Sequence, residues 1–362
     1  MFPDFGTKTR AFLVREWLLT ATAVGVLSTS AYLKRLPLYS RHDFEVLFLL
    51  FGFFVLIKGL EKNNLFAALA AKLSRGRAAG YKLLWAVYFL SMLVTNDVAL
   101  LVGVPLALNL PVKRKRLLVI FLVLAANAGS ALTPFGNPQN IFIYWHYALH
   151  PLMFLRTIAP FSAGTALILG IIAAFFFLGE GPAKMAPVSV RGPVWFFLLA
   201  LVLFLLVVLR VFPFWLGPFI IVLSIIRDPA ILRVDYFLLL TFFFFFGFTD
   251  NLMAMLQFHL GEPTAVFLGS AIASQFISNV PAALLFSDFT RCWAALLWGV
   301  NVGGFGSLTG SLANLIAYRF YSRSQEDKSF LLTFHFWSYL FFAWGMWLYF
   351  FVNAKLPPCL GP

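Results

Sequence analysis

"TNDVALL", residues 95–101, places the carboxylate of Asp97 behind Thr95 and Asn96 inside one of the most apolar stretches of an apolar chain. Of the 362 residues 61% are hydrophobic and 18% aromatic, and only 11% are charged. Apolar runs near membrane-spanning length recur along the sequence, which marks an integral membrane protein. The many Phe and Trp residues, including the Phe run at 242–246, read as lipid-facing or packing surface rather than as a cofactor box.

The block from 83 to 110 that holds Asp97 is flanked by Lys72, Arg75, Arg77 and Lys82 on one side and by Lys113, Arg114, Lys115 and Arg116 on the other. Both clusters favour the cytoplasm, so a single helix crossing the bilayer would strand one of them. A hairpin that enters and leaves on one face satisfies both. Its arms, Leu83 to Val94 and Val98 to Leu110, reach about 18 Å at 1.5 Å per residue, short of a hydrocarbon core of about 30 Å. Thr95, Asn96 and Asp97 then form a tip near mid-membrane. Irregular backbone at that depth must face protein or a watered cavity.

The partner for that tip is the next segment. From 117 to about 150 the chain exceeds one span and is interrupted by "TPFGNPQN", residues 133–140. Pro134, Gly136, Asn137, Pro138 and Asn140 break a helix and free backbone groups at mid-depth. Spans at about 43–60, 152–178, 194–210 and 212–226 complete the first part.

The pattern then restarts. Asp43, Asn96 and Asn140 recur in order as Asp235, Asn279 and Asn314. "SNVPAALL" (278–285) sits where "TNDVALL" sat, again between two short apolar arms. "NAGSALTPFGNPQN" (127–140) aligns without a gap on "NVGGFGSLTGSLAN" (301–314), matching Asn127 with Asn301, Gly129 with Gly303, Gly136 with Gly310 and Asn140 with Asn314. Counting spans carries the second hairpin to the outer face. Its flanks agree, since "FHLGEP" (258–263) has no Lys or Arg and "SDFTRC" (287–292) has only Arg291. Most of the 27 Lys and Arg, including Arg227, Arg233, Arg319, Arg323 and Lys328, fall inside, whereas Lys34, Arg35 and Arg41 dissent.

These readings predict an all-α polytopic membrane protein, an inverted repeat with two re-entrant helical hairpins and two broken transmembrane helices. Residues 1–42 form an N-terminal helix and loop. The first repeat occupies 43–180 (tip 95–97, break 133–140), connecting spans 181–234, the second repeat 235–352 (tip 278–280, break 307–314) and a tail 353–362. The first apolar run, Trp17 to Leu33 behind Lys8, Arg10 and Arg15, has the charge pattern of a signal peptide, but the membrane character of everything after it favours a retained helix.

Hairpin tips and half-helix ends converging at mid-depth favour anions at helix N-termini and small cations at free carbonyls and side-chain oxygens. The candidate ligands are Thr95, Asn96, Asp97, Thr133, Gly136, Asn137 and Asn140 in the first half, with Ser278, Asn279, Ser307, Gly310, Ser311 and Asn314 in the second. Asn96, Asp97 and Asn137, and Asn279, Ser311 and Asn314, are the candidate sodium ligands. Asp97 has no counterpart, because Val280 takes its place. An ionised carboxylate in a membrane helix costs roughly 2.5–3.5 kcal/mol, so Asp97 is expected to couple transport by carrying a proton or binding a cation. Asn and Ser between packed helices also serve as structural hydrogen-bonding groups. Asp250 and Asp288 lie near ends of apolar runs and read as interfacial. His146 and His150 have helical metal-ligand spacing without a third ligand and read as outer-interface residues. Cys292 and Cys359 are distant in sequence and indicate neither a disulfide framework nor a metal site.

The four motifs, "TNDVALL", "SALTPFGNPQNIFIY", "SNVPAALL" and "GSLTGSLANLIAYR", resemble those of the anion permeases of the ion transporter superfamily, a group that includes divalent anion:sodium symporters, citrate transporter-like proteins and arsenite-efflux membrane subunits. The resemblance covers about residues 43–320. It implies an inverted-repeat fold, a homodimer, elevator-type alternating access, and paired Ser-Asn-Thr tips that bind sodium and substrate carboxylates. Thr95 and Ser278 match the first position and Asn96 and Asn279 the second, but Asp97 and Val280 replace the final Thr. That departure is more like the arsenite and sodium/proton exchange branches than the dicarboxylate branch. The expected function is secondary active transport of a small inorganic or organic anion coupled to sodium or protons in the cytoplasmic (inner) membrane, with lipid as surroundings and no enzyme activity. The net charge of +13 is a topology signal and not a nucleic-acid surface. The alternatives are a sodium/proton antiporter without an anion substrate and, remotely, an intramembrane aspartyl protease using Asp97 and Asp250.

Overall fold

A computed structural model describes residues 16–182, 187–256 and 259–360. The flanking charges Lys8, Arg10 and Arg15, and Phe258 of the second hairpin's approach, lie outside the described residues. Every regular element among the described residues is helical. This suits a chain whose backbone groups must be paired within each segment to survive in lipid.

The first helix, α1 (Trp17–Leu33), leads to α2 (Arg41–Lys62), which starts on a reciprocal capping box between Ser40 and Asp43. The stretch after it contains a short helix, α3 (Leu65–Leu73). The first hairpin is α4 (Ala79–Leu93) and α5 (Asn96–Asn109), of 15 and 14 residues. Arms of this length reach about 22 Å and remain too short to span. Next come α6 (Lys115–Ala131) and α7 (Pro138–His146), separated by the expected break, which occupies 132–137. A long α8 (Pro151–Phe177) is followed by α9 (Val194–Val208) and α10 (Leu216–Arg227). The second set comprises α11 (Tyr236–Leu256), the hairpin α12 (Pro263–Ile277) and α13 (Asn279–Ser287), α14 (Trp293–Val302), α15 (Leu312–Ser324) and α16 (Phe330–Val352). Among the described residues, only α8 and α11 combine unbroken length with enough apolarity to qualify as spans on those criteria alone.

Two packing groups form. α1 packs on α11, where Gly25 lets the Phe248 ring approach its backbone and Asn251 donates to Thr29 Oγ1 at 3.0 Å and Ser30 Oγ at 2.9 Å. α9 and α10 pack on α2, with Gly52 under Phe204 and Gly59 under Phe197. The second group joins each hairpin to its neighbouring broken helix: α4 and α5 to α6, and α12 and α13 to α14. The Phe run is packing surface in part, since Phe242, Phe245 and Phe246 are buried while Phe243 stacks on Tyr39 at 4.4 Å.

Polar contacts sort the connections into two rims. On one, Lys62 pairs with Asp228 at 2.6 Å, Ala78 N donates to Glu180 O, Arg191 N to Asn63 O, and Arg116 pairs with Asp327 at 3.0 Å. On the other, Arg35 pairs with Asp250 at 2.6 Å, Leu260 N donates to Phe289 O, and the Tyr147 hydroxyl donates to Ser287 O and Thr290 O. The open end of the α4–α5 hairpin lies on the first rim and that of α12–α13 on the second. Two of the three dissenting cations lie on the second rim with partners: Arg35 on Asp250, and Arg41 on Glu45 at 2.8 Å.

One expectation is corrected. Cys292 and Cys359 are joined in a disulfide, and Leu360 N donates to Arg291 O beside it. Their sequence separation of 67 residues gives no hint of this, because α14 to α16 must first return the chain to the rim it left.

Candidate ligand-binding site

The first hairpin turns without proline or glycine. Val94 leaves the helix in an extended conformation, and Thr95 caps the next helix by accepting from Val98 N at 3.3 Å. Asn96 and Asp97 are therefore the first residues of α5 rather than turn residues. The second hairpin turns at Ser278, whose φ of 74° is unusual for a residue with a side chain. Asn279 then opens α13.

At the first break Asn137 caps α7, accepting from Asn140 N at 3.0 Å, with Pro138 at the position where a missing N–H is harmless. Asn140 Nδ2 lies within reach of the carbonyls of Ser130, Ala131 and Thr133 at 3.3, 3.0 and 3.0 Å, acceptors that the end of α6 leaves open. At the second break Asn314 Nδ2 takes the corresponding carbonyls of Gly304 and Ser307, at 3.1 and 3.0 Å. Each break is also held to its hairpin. Thr133 Oγ1 donates to Met92 O at 2.6 Å, and the aligned Ser307 Oγ donates to Gln275 O at 2.7 Å. Gly136 and Gly310 lie against backbone: a Cβ on Gly136 would fall 2.1 Å from Ser130 O, and one on Gly310 2.7 Å from Gly303 O.

The halves meet through amides. Asn96 Nδ2 donates to Asn127 Oδ1 at 2.9 Å, and Asn127 Nδ2 to Asn314 Oδ1 at 2.9 Å. Asn137 Nδ2 donates to Asn301 Oδ1 at 3.3 Å, and Asn301 Nδ2 to Asn140 Oδ1 at 3.0 Å. Asn96 also donates to Ser311 Oγ at 3.3 Å. All seven residues are buried. Asn127 and Asn301 were visible in the sequence only as alignment anchors. Their role as bridges depends on which face of α6 and α14 points inward.

A cavity of about 650 Å³ lies against this network, walled by Asn96, Asp97, Gln139, Ser278, Asn279 and Ser311. Toward its mouth stand Asp235, Thr309 and the exposed Arg319. A smaller adjoining cavity of about 220 Å³ also reaches Thr95, Asp97 and Asp235, beside Lys58, Glu61 and Arg233. The smaller cavity, lined also by Lys58, Glu61 and Arg233, lies toward the rim that holds the Lys62–Asp228 pair. Asp97 Oδ1 and Gln139 Nε2 are buried atoms with no hydrogen-bond partner among the described residues. Thr133, Gly136, Asn137, Asn140, Ser307, Gly310 and Asn314 lie behind this wall as its support. Gln139 and Gln275 had gone unremarked in the sequence. Gln275 braces the second break, donating to Gly303 O and Phe305 O and accepting from Ser307 N.

Other polar residues picked out in the sequence have partners of their own. Asp43 and Asp235 serve helix starts, Asp235 accepting from Phe237 N and Leu238 N. Asp250 is paired with Arg35 on the second rim, apart from the cavity of Asp97. His146 approaches Asp288 at 3.9 Å, and His150 caps α8 by accepting from Leu152 N at 3.3 Å. Among the described residues no group of three His, Cys, Asp or Glu could hold a metal ion.

Comparison with known proteins agrees with this architecture. Residues 11–291 match the citrate transporter family. Inner membrane protein YbiR of Escherichia coli is 34% identical over 342 residues, which cover 87% of this chain and 89% of that one. An uncharacterized transporter of Methanocaldococcus jannaschii is 33% identical over 306 residues, 80% of this chain and 84% of its own. A silicon efflux transporter of Oryza sativa is 31% identical over 129 residues, 34% of this chain and 27% of its own. With the family matched over most of its length, the chain belongs to the citrate transporter family.

Proposed function

We propose that the protein is a secondary active transporter of a small inorganic or organic anion, coupled to sodium or protons by alternating access. One observation carries this: Asp97, a half-buried carboxylate whose Oδ1 is a buried atom without a hydrogen-bond partner among the described residues, stands in the wall of a cavity to which both hairpin tips and both broken helices contribute. A charge in such a position is tolerated when a proton or cation neutralises it. The two hairpins then act as re-entrant elements of an inverted repeat, entering from opposite membrane faces. The distribution of their open ends over the two rims and the recurrence of the Asn and hydroxyl bonds support that reading. The rim rich in Lys and Arg is the cytoplasmic one, so the smaller cavity lies toward the inside. The disulfide on the opposite rim fits an oxidising outer compartment and hence the inner membrane.

Asn96 and Asp97 with Asn137, and Asn279 and Ser311 with Asn314, are the sodium ligands of this proposal, and the N-termini of α5, α7 and α13 attract the anion. The test is uptake by proteoliposomes of citrate, succinate, sulfate, phosphate and arsenite under an imposed sodium or proton gradient. Accumulation of one anion against its gradient, dependent on sodium or pH, is the expected result. Exchange of sodium for protons with none of the anions moved would replace this reading with a cation antiporter.

A further inference from the structure

The two halves align across the hairpin tips and breaks, and at two aligned positions the first half alone places a charged or amide side chain on the cavity wall. Asp97 aligns with Val280, and Gln139 aligns with Ala313. Both polar members belong to the first half, and both wall the same cavity. Gln139 is 1% exposed, and its Nε2 has no acceptor among the described residues, while Asp97 Oδ1 has no donor. Most of the amides around them are engaged as donors: Asn96, Asn127, Asn137, Asn140, Asn301 and Asn314 donate to protein acceptors, while Asn279 on the same wall accepts from Ser278 Oγ at 3.4 Å. A buried donor or acceptor left unpaired costs about 1–3 kcal/mol, so two on one wall call for a ligand that satisfies them.

We infer that Gln139 and Asp97 form an asymmetric donor and acceptor pair for an oxoacid or hydroxy acid that carries an O–H beside an acceptor oxygen. The Gln139 amide donates to the acceptor oxygen, and the ligand's hydroxyl donates to Asp97. This rests on the transport reading above and narrows its substrate class. Charge points the same way. No Lys or Arg is buried among the described residues, and the only cation at this cavity, Arg319, is exposed at its mouth with Asp235. A fully ionised polyanion would bring its charge beside Asp97 with no buried cation to offset it. A ligand that retains an acidic proton lowers that penalty, and any O–H on the ligand makes one more hydrogen bond to Asp97. Gln139 is thereby the residue that selects the ligand, and the ligand lies on the first-half side of the cavity.

The experiment measures binding by the full-length purified protein at pH 7 to inorganic phosphate, arsenite and citrate, which carry an O–H, and to sulfate and succinate, which carry none. At least one of the first three is expected to bind, at least tenfold more tightly than sulfate and succinate, and Gln139→Leu is expected to weaken it at least tenfold. The response of the protein to sodium or pH alone stays, because Asp97 is intact. Equal binding of sulfate, binding of none of the five, or an affinity in Gln139→Leu within twofold of the parent overturns the inference. The transport reading is judged separately, by whether any solute is moved in proteoliposomes. If Gln139→Leu does not fold, Gln139→Cys supplies the readout, since both native cysteines are in the disulfide. A thiol reagent should modify that single cysteine, more slowly when the bound ligand is present, and a rate unchanged by ligand overturns the inference.

Discussion

Asn127 donates to Asn314 at 2.9 Å, and the residues aligned with that pair, Asn301 and Asn140, make the same bond in the same sense at 3.0 Å. Each half therefore lends the asparagine that precedes its own break to the asparagine beyond the other half's break. Removing one amide leaves buried partners unpaired. Asn127→Ala should lower stability by about 1–3 kcal/mol, since Asn96 loses its acceptor and Asn314 its donor. Thermal unfolding in detergent should show a smaller loss for Asn127→Ala combined with Asn314→Ala than the sum of the single variants. Additive losses would argue against a direct bond.

Asp97→Asn keeps the shape of the side chain and removes its charge. Uptake by this variant should fall at least tenfold and lose its dependence on sodium or pH, with the unfolding temperature maintained or raised. Transport that retains the parent's cation dependence would remove Asp97 from the coupling mechanism.

Gly136→Ala should be more damaging than Gly310→Ala. The added methyl on Gly136 meets a backbone carbonyl oxygen at 2.1 Å, against 2.7 Å for the nearest one at Gly310, and backbone at a break cannot swing aside as a flexible side chain can. Overpacking of this kind costs about 1–3 kcal/mol and more where backbone must move. Yield of folded protein and thermal unfolding of the two variants rank the effects.

Cys292→Ser and Cys359→Ser should each lower the unfolding temperature of oxidised protein by a similar amount, because either loss opens the same loop. A disulfide of this loop length contributes about 2–5 kcal/mol. Reducing agent should lower the parent's unfolding temperature and leave both variants unchanged. Non-reducing peptide mapping that finds two free thiols in the parent would remove the bond.

Ser329 and Arg116, with the Tyr321 hydroxyl, hold the Asp327 carboxyl down to about 2 on the first rim. The sign follows from that depression. The contribution is fully present above the ordinary carboxylate value near 3.8 and is lost as pH falls from there through 2. Asp327→Asn should therefore destabilise the protein at pH 6 by at most about 1 kcal/mol, as expected for an exposed pair. The difference from the parent should disappear at pH 2. Thermal unfolding at the two pH values measures it.

The sequence by itself determined the helical membrane character, the two short-armed hairpins, the position of both breaks and the correspondence of the halves. These are local or repeated signals: apolar run length, basic flanks, and Pro, Gly and Asn where a helix must stop. It also singled out Asp97, because a charge in an apolar run is conspicuous without any structure. What tertiary structure decided is which polar groups are already satisfied. Asn140 and Asn314 stand out in sequence as candidate ligands, and the structure adds that their side-chain nitrogens take carbonyls freed by the breaks. Gln139 looks like an ordinary residue of the break, yet its buried Nε2 on the cavity wall is left without a partner among the described residues. The pairing of Cys292 with Cys359 was equally hidden. Hydrogen-bond satisfaction and proximity depend on helix rotation and on segments far apart in the chain, and no local pattern of residues records either.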